Sequence, residues 1–414
     1  MQSSEPALET DTDILRSRLE QYPRAQYPVQ HAVTQFHLGV ALLHASQPAQ
    51  ALAALNIAQS GFAAAGLVLE LAKTVNMQGV AMRDTGDLTA AAGAFGRAVT
   101  AFAKLDQRLE EAAASYNVGL VHRLLGDSAQ ARSALTRAKE LFEEANLPVQ
   151  EGAAARELGT LLLTDGRVDE AIVVLSDAVS RAQDGGDGAG LGAAANALGL
   201  AHLAAGTPTD AIASFRTACG AHPRSLRPAE HAMAKANLAL AQERAGEPAR
   251  ARLAATQALG VSGVSGPVRE LALTVLDRLP APTGNDLLDV VEDEPDEGWA
   301  VLFRDEVTRW GDCSSAQRAT AAGEWVDGVL QRSGRGPELT EAFLNALLEL
   351  PPAAYGRIVE AIVRATGQRS QTDADRFRSI TRSGMARFPI PQWQRMAATF
   401  NRAAQTHGQP ADWS

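Results

Sequence analysis

Glycine returns along this chain at a fixed interval: Gly39, Gly79, Gly119, Gly159 and Gly199 stand 40 residues apart, and Ala239 continues the series. A second series, Ser46, Gly86, Gly126, Gly166, Gly206 and Gly246, keeps the same period. Alanine recurs in register from Ala51 to Ala251 and from Ala58 to Ala258, and a large apolar residue at Leu55, Phe95, Leu135, Leu175 and Phe215 decays to Ala255. Five series in register over six units define a repeat array. One unit of this length is a single supersecondary element that cannot bury its apolar face alone, so neighbours must stack.

Segment 107–146 shows the physics of one unit. Leu109, Ala113, Val118, Val121 and Leu125 give a helical spacing over about 107–125, a first helix that Gly126 and Asp127 interrupt. Asp127 or Ser128 can cap a second helix over about 129–145, carrying Ala131, Leu135, Ala138 and Phe142. Small residues at fixed places let the two helices approach closely while the Leu or Phe fills the space between.

These residues resemble the tetratricopeptide repeat family in its longer, 40-residue variety. The family pattern of Leu-Gly in the first helix, Gly at the turn, then Ala, Phe and Ala is met by Leu158, Gly159, Gly166, Ala171, Leu175 and Ala178. It is met again by Leu198, Gly199, Gly206, Ala211, Phe215 and Ala218, while the family's Trp and Tyr give way to residues such as Ala155 and Leu162. The resemblance implies an all-α protein: a right-handed solenoid of about six helix-turn-helix repeats followed by a small helical domain.

The expected divisions are a capping segment at 1–29, with a helix near 11–22, and a solenoid at 30–265. A closing helix at 266–280, an acidic linker at 281–297 and a helical module at 298–414 follow. The linker reading rests on seven acids between Asp286 and Glu297 with no base among them, a composition that suits a solvated, mobile stretch. The same stretch carries Leu287, Leu288, Val290 and Val291, so a tethered ligand for a basic surface is its functional alternative. The last module holds all five tryptophans and a late excess of arginine, and matches no family pattern.

A net charge of −10 argues against a nucleic-acid or anionic-membrane binder as a whole, although the late arginines leave nucleic acid open for the last module. Two cysteines, Cys219 and Cys313, cannot form a disulfide framework or a thiolate zinc site, so a reducing cytoplasm is the expected compartment. The opening MQSSEPALETDTD has neither a basic start nor an apolar core, so no signal peptide is expected, and no run reaches the roughly 18 apolar residues of a membrane span.

No phosphate-cradling loop, zinc spacing or nucleophile elbow occurs, so no catalytic residue, metal or cofactor is expected. His122 and His202 share a repeat position but stand two repeats apart, which reads as packing, and nothing in the sequence orients Cys313 and His407 as nucleophile and base.

The positive case is binding. Positions six and three before the helix glycine, then one and four after it, form one stripe on the first helix of each repeat. In tetratricopeptide proteins that stripe lines the concave groove. Here it begins with Val33, Phe36, Val40 and Leu43, then runs through Lys73, Asn76, Val80 and Arg83. The third repeat gives Ala113, Tyr116, Leu120 and Arg123, the fourth Ala153, Arg156, Thr160 and Leu163, and the fifth Ala193, Asn196, Leu200 and Leu203. The candidate partner-binding residues are Lys73, Asn76, Arg83, Tyr116, Arg123, Arg156 and Asn196. No acid enters the stripe before Glu243, so an acidic, partly apolar peptide or helix is one reading. The other is that these bases pair with Asp84, Glu110, Glu111 or Glu157 on neighbouring helices. The expected function is a non-catalytic adaptor or scaffold for a protein partner, with the acidic segment 286–297 able to mask the groove. A peptide-responsive regulator is the alternative, and an enzyme with its site in 298–414 the third reading.

Overall fold

The structure, a computed structural model, describes residues 11–282 and 284–414, the side chains of Asp296 and Glu297 excepted. The first ten residues of the expected capping segment, and Thr283, lie outside the described residues. These described residues form helices and no strand, in two compact units, one ending at Ala205 and the other spanning Gly206–Ser414.

The first unit opens with α1 (Asp11–Gln21), which packs on α2 (Pro28–His44) through Leu15 and Leu19. Hairpins follow: α2 with α3 (Pro48–Ala65), α4 (Val68–Asp84) with α5 (Leu88–Lys104), and α6 (Arg108–Leu124) with α7 (Ser128–Glu144). The last hairpin, α8 (Pro148–Thr164) with α9 (Val168–Asp184), is followed by α10 (Gly188–Ala205). Most boundaries in the array have a local cause. Asp87 and Asp127 accept from the backbone N–H groups of Ala90 and Gln130, and Pro28, Pro48 and Pro148 open their helices. Each helix from α2 to α9 ends on a left-handed residue, and these recur every 20 residues from Ser46 through Gly66 and Gly86 to Gly186. At Gly126 the Asp127 N–H returns to the His122 carbonyl at 2.9 Å, the closing bond of a Schellman turn.

The two main sequence series face each other inside one hairpin. A Cβ placed on Gly79 would lie 2.7 Å from the Phe95 ring, and one on Gly159 would lie 2.5 Å from Leu175 Cγ. The glycine is therefore the seat of the large residue, and both Phe95 and Leu175 are fully buried. Between hairpins, Ala138, Phe142 and Ala154 share one cluster, and Ala72, Phe102 and Ala114 another. Buried carboxylates add ties invisible to the apolar pattern. Glu111 accepts from Arg137 at 2.9 Å, and Glu151 sits 2.9 Å from Arg181 and 3.6 Å from Lys139.

The second unit begins with α11 (Pro208–Ala221), α12 (Pro228–Arg244), α13 (Pro248–Leu259) and α14 (Gly266–Arg278), the last packing on α12 and α13. It continues with α15 (Asp286–Asp293), α16 (Asp296–Asp312), α17 (Ser315–Gln331) and α18 (Gly336–Leu348). The chain ends with α19 (Pro352–Gly367), α20 (Gln371–Met385) and α21 (Ile390–Thr406). From α16 onward the packing rule changes. The larger contacts join alternate helices, so α16, α18 and α20 form one layer and α17, α19 and α21 the other. Trp325 stacks on Phe343 with ring centroids 4.3 Å apart at the centre, and Trp413 closes the far end against Phe377 and Phe400.

The acidic stretch expected as a mobile linker is, over 286–293, the helix α15. Asn285 caps it by accepting from the Leu288 N–H, and Leu287, Leu288, Val290 and Val291 are all buried in the core that includes Trp325, Phe343 and, from α13, Leu253. Four of the seven acids of the stretch are paired locally. Arg252 grips Asp286 at 2.8 and 2.9 Å, Arg332 holds Asp289 and Glu292, and Arg250 holds Glu294. With its apolar face buried and four of its acids paired, this segment is not a free ligand for the groove. Asp296 and Glu297, the last two acids of the stretch, carry side chains outside the described residues.

Candidate binding groove

In the first unit each first helix of a hairpin touches the next one, α2 to α4, α4 to α6, α6 to α8 and α8 to α10. The second helices, α3, α5, α7 and α9, make no comparable contact among the described residues. The first helices therefore form the closer-spaced, inner layer, and the stripe read from the sequence lies on their remaining free face. Val33 and Leu200 are exposed, while Phe36, Val40, Leu43, Val80, Leu120 and Leu163 are half-buried, so an apolar strip runs from α2 to α10.

The seven candidate residues fall on α4, α6, α8 and α10, but the basic ones do not stand free. Lys73 reaches Glu110 at 3.6 Å across α4 and α6, and Arg123 reaches Glu157 at 3.5 Å across α6 and α8. Arg83 pairs with Asp84 at 2.8 Å and Arg156 with Glu157 at 2.9 Å. Of the two sequence readings, internal pairing is what the structure displays. Glu157, one residue off the stripe and therefore outside the sequence pattern, serves two arginines at once. The net positive groove that called for an acidic partner is largely cancelled.

The polar residues remain. Asn76 is buried on α4, and its side-chain oxygen has no hydrogen-bond partner among the described residues. A buried acceptor left without a donor costs about 1–3 kcal/mol. Tyr116, half-buried on α6, has its hydroxyl close to the Arg156 side chain. Burial, then the Glu157 charge, holds that hydroxyl above its usual pKa, so it stays a neutral donor and acceptor. Asn196 takes the equivalent half-buried place on α10.

The residues weighed for chemistry are occupied otherwise. The Cys313 thiol donates to the Trp310 carbonyl and burial raises its pKa, and His407 meets Glu360 at 3.1 Å. Burial pushes Cys219 up to about 11. His122 Nδ1 lies 3.5 Å from Asp127 in its own turn. Among the described residues no group of three or more His, Cys, Asp and Glu could hold a metal ion, and no helix is long and apolar enough to cross a membrane.

Residues 76–146 and 196–263 match the model of the tetratricopeptide repeat family. No curated protein matches the sequence. Among solved structures, the apo form of RapI is similar at 12% identity over 87% of this chain and 93% of that one, with a TM-score of 0.54. BtubC from P. vanneervenii is similar at 18% identity over 51% of this chain and 86% of that one, with a TM-score of 0.44. A Rap protein complexed with Competence and Sporulation Factor gives 12% identity, 94% and 92% coverage and a TM-score of 0.43. At these identities the RapI likeness speaks to the helical-repeat fold alone.

Proposed function

We propose that this chain, which carries tetratricopeptide repeats over residues 76–146 and 196–263, is a non-catalytic adaptor whose inner layer binds an extended peptide or a helix of a protein partner. The observation that carries this reading is the strip itself: half-exposed Val80, Leu120 and Leu163 on successive inner helices. A partner would set apolar side chains against the strip, as helix-in-groove ligands do. Because Lys73, Arg83, Arg123 and Arg156 are paired with Glu110, Asp84 and Glu157, apolar shape rather than negative charge selects the partner. Its place of action in this reading is the cytoplasm, in keeping with two unpaired cysteines.

The test compares affinity capture by the wild-type chain with that by Val80→Glu combined with Leu120→Glu. Both side chains are half-exposed, so the fold tolerates the charges, which circular dichroism checks. Loss of the captured partner in the double variant, with retention in an outer-face variant such as Val173→Glu, is the expected result. A partner retained equally by both variants places the interaction elsewhere.

A further inference from the structure

Arginines in the second unit are mostly answered by carboxylates: Arg252 by Asp286, Arg304 by Glu349, Arg332 by Asp289, Arg369 by Asp327 and Arg387 by Glu341. Three that line one cavity are not. Arg318, Arg357 and Arg364 surround a cavity of about 250 Å³ between the first turn of α17 and one face of α19. Arg318 is buried, and donates to the carbonyls of Trp310 at 2.8 Å and Cys313 at 2.5 Å. Arg357 donates to the Gly311 carbonyl at 3.0 Å. Carbonyl oxygens carry only partial charge, so both guanidinium groups keep most of their positive charge uncompensated. Arg364 is exposed and has no partner among the described residues. The one carboxylate in the lining, Glu360, lies 3.1 Å from His407, and its single charge leaves the three guanidinium groups in net excess. Ser315 also lines the cavity as the first residue of α17, so the positive end of that helix dipole adds to the same field.

Like charges held around one space repel, less so at exposed Arg357 and Arg364 than at buried Arg318, and an anion entering the space relieves that repulsion. Guanidinium forks match the oxygens of carboxylate and phosphate alike, and three of them favour the more highly charged group. A phosphate monoester carries about −1.5 to −2 charges at neutral pH, against −1 for a carboxylate. We propose that this cavity binds a phosphoryl group, with Arg318 and Arg357 fixed by the end of α16 and Arg364 closing on the ligand from solvent. The site uses none of the groove residues, so it stands or falls separately from the adaptor reading.

Titration calorimetry on the full chain, at constant ionic strength, tests it with inorganic phosphate and with a phosphoserine peptide as probes. Saturable one-to-one binding is expected, about tenfold weaker in Arg364→Ala and unchanged in Arg402→Ala, an exposed arginine outside the cavity. Arg364 makes no bond within the protein, so its removal leaves the fold intact. Tighter binding of the phosphopeptide than of phosphate would identify a modified partner protein as the source, and equal affinities a free phosphate compound. The groove variant Val80→Glu with Leu120→Glu should bind the probes normally. No saturable binding of either probe, or an affinity unchanged in Arg364→Ala, overturns the proposal.

Discussion

Ser46 stands where later repeats place Gly86, Gly126 and Gly166, and adopts the same left-handed backbone with φ 56°. A residue with a Cβ pays roughly 1 kcal/mol there, so Ser46→Gly should stabilise the chain by about that amount and Gly126→Ala should destabilise it similarly. Chemical denaturation followed by circular dichroism reads both, and destabilisation by Ser46→Gly would refute the account. Helix glycines divide the same way. Gly159 is seated against Leu175, so Gly159→Leu should cost roughly 1–3 kcal/mol or more by overpacking. Gly96 faces open space on α5, and Gly96→Ala should gain about 0.5–1 kcal/mol from helix propensity. Equal effects at the two positions would mean the 40-residue register is not the packing register. Gly185, the C-cap of α9, does not accept a side chain either, because its Cβ would lie 2.6 Å from Val149 Cγ2. The glycine seats were legible because each repeats within one unit and pairs with a large residue 16 positions on, as Gly159 does with Leu175. The charge pattern of the groove was half legible. Counting the stripe finds Arg123 and Arg156, but Glu157 lies one position off it, and it reaches Arg123 as well as its neighbour Arg156 only once α6 and α8 are side by side.

α15 shows the same limit at the scale of an element. Its acid density reads as solvated chain, yet Asn285 is a good cap and the pairs Leu287–Leu288 and Val290–Val291 repeat at the three-residue spacing of one helical face. What composition cannot display is that Arg250, Arg252 and Arg332, distant in sequence, converge on its acids. Leu288 is fully buried, so Leu288→Ala should destabilise the second unit by about 2–5 kcal/mol. Removal of 286–297 should likewise unfold part of that unit rather than unmask a groove. Tryptophan fluorescence in urea measures both, and an unchanged midpoint would restore the linker reading. The alternating packing of α16 to α21 was not legible either. Helical spacing was visible there, but the period that fixes neighbour to neighbour in the repeats has no counterpart beyond α15.

At the scale of the molecule, the two units can be watched separately, because all five tryptophans, Trp299 to Trp413, belong to the second. That unit also contains two histidines held neutral. His231 is buried on α12, beside Lys235, and its Nδ1 lies 2.9 Å from the His222 carbonyl. Burial first, then the Lys235 charge, lowers the His231 pKa below its ordinary value, and burial lowers that of His222. The unfolded chain takes up protons near pH 6.5 while the folded unit resists, so below that pH the unfolded state binds more protons and stability falls. The loss continues until the depressed folded values are reached, at up to about 1.4 kcal/mol per pH unit for each histidine. The fluorescence midpoint in urea should therefore drop between about pH 7.5 and 5.5, a range in which ordinary carboxylates stay ionised. His231→Gln, which cannot take up a proton, should flatten that slope even if it lowers stability at neutral pH. A midpoint that is level across this range in the wild type, or an equally steep one in His231→Gln, would show that the α12 histidine is not what makes the second unit acid-sensitive.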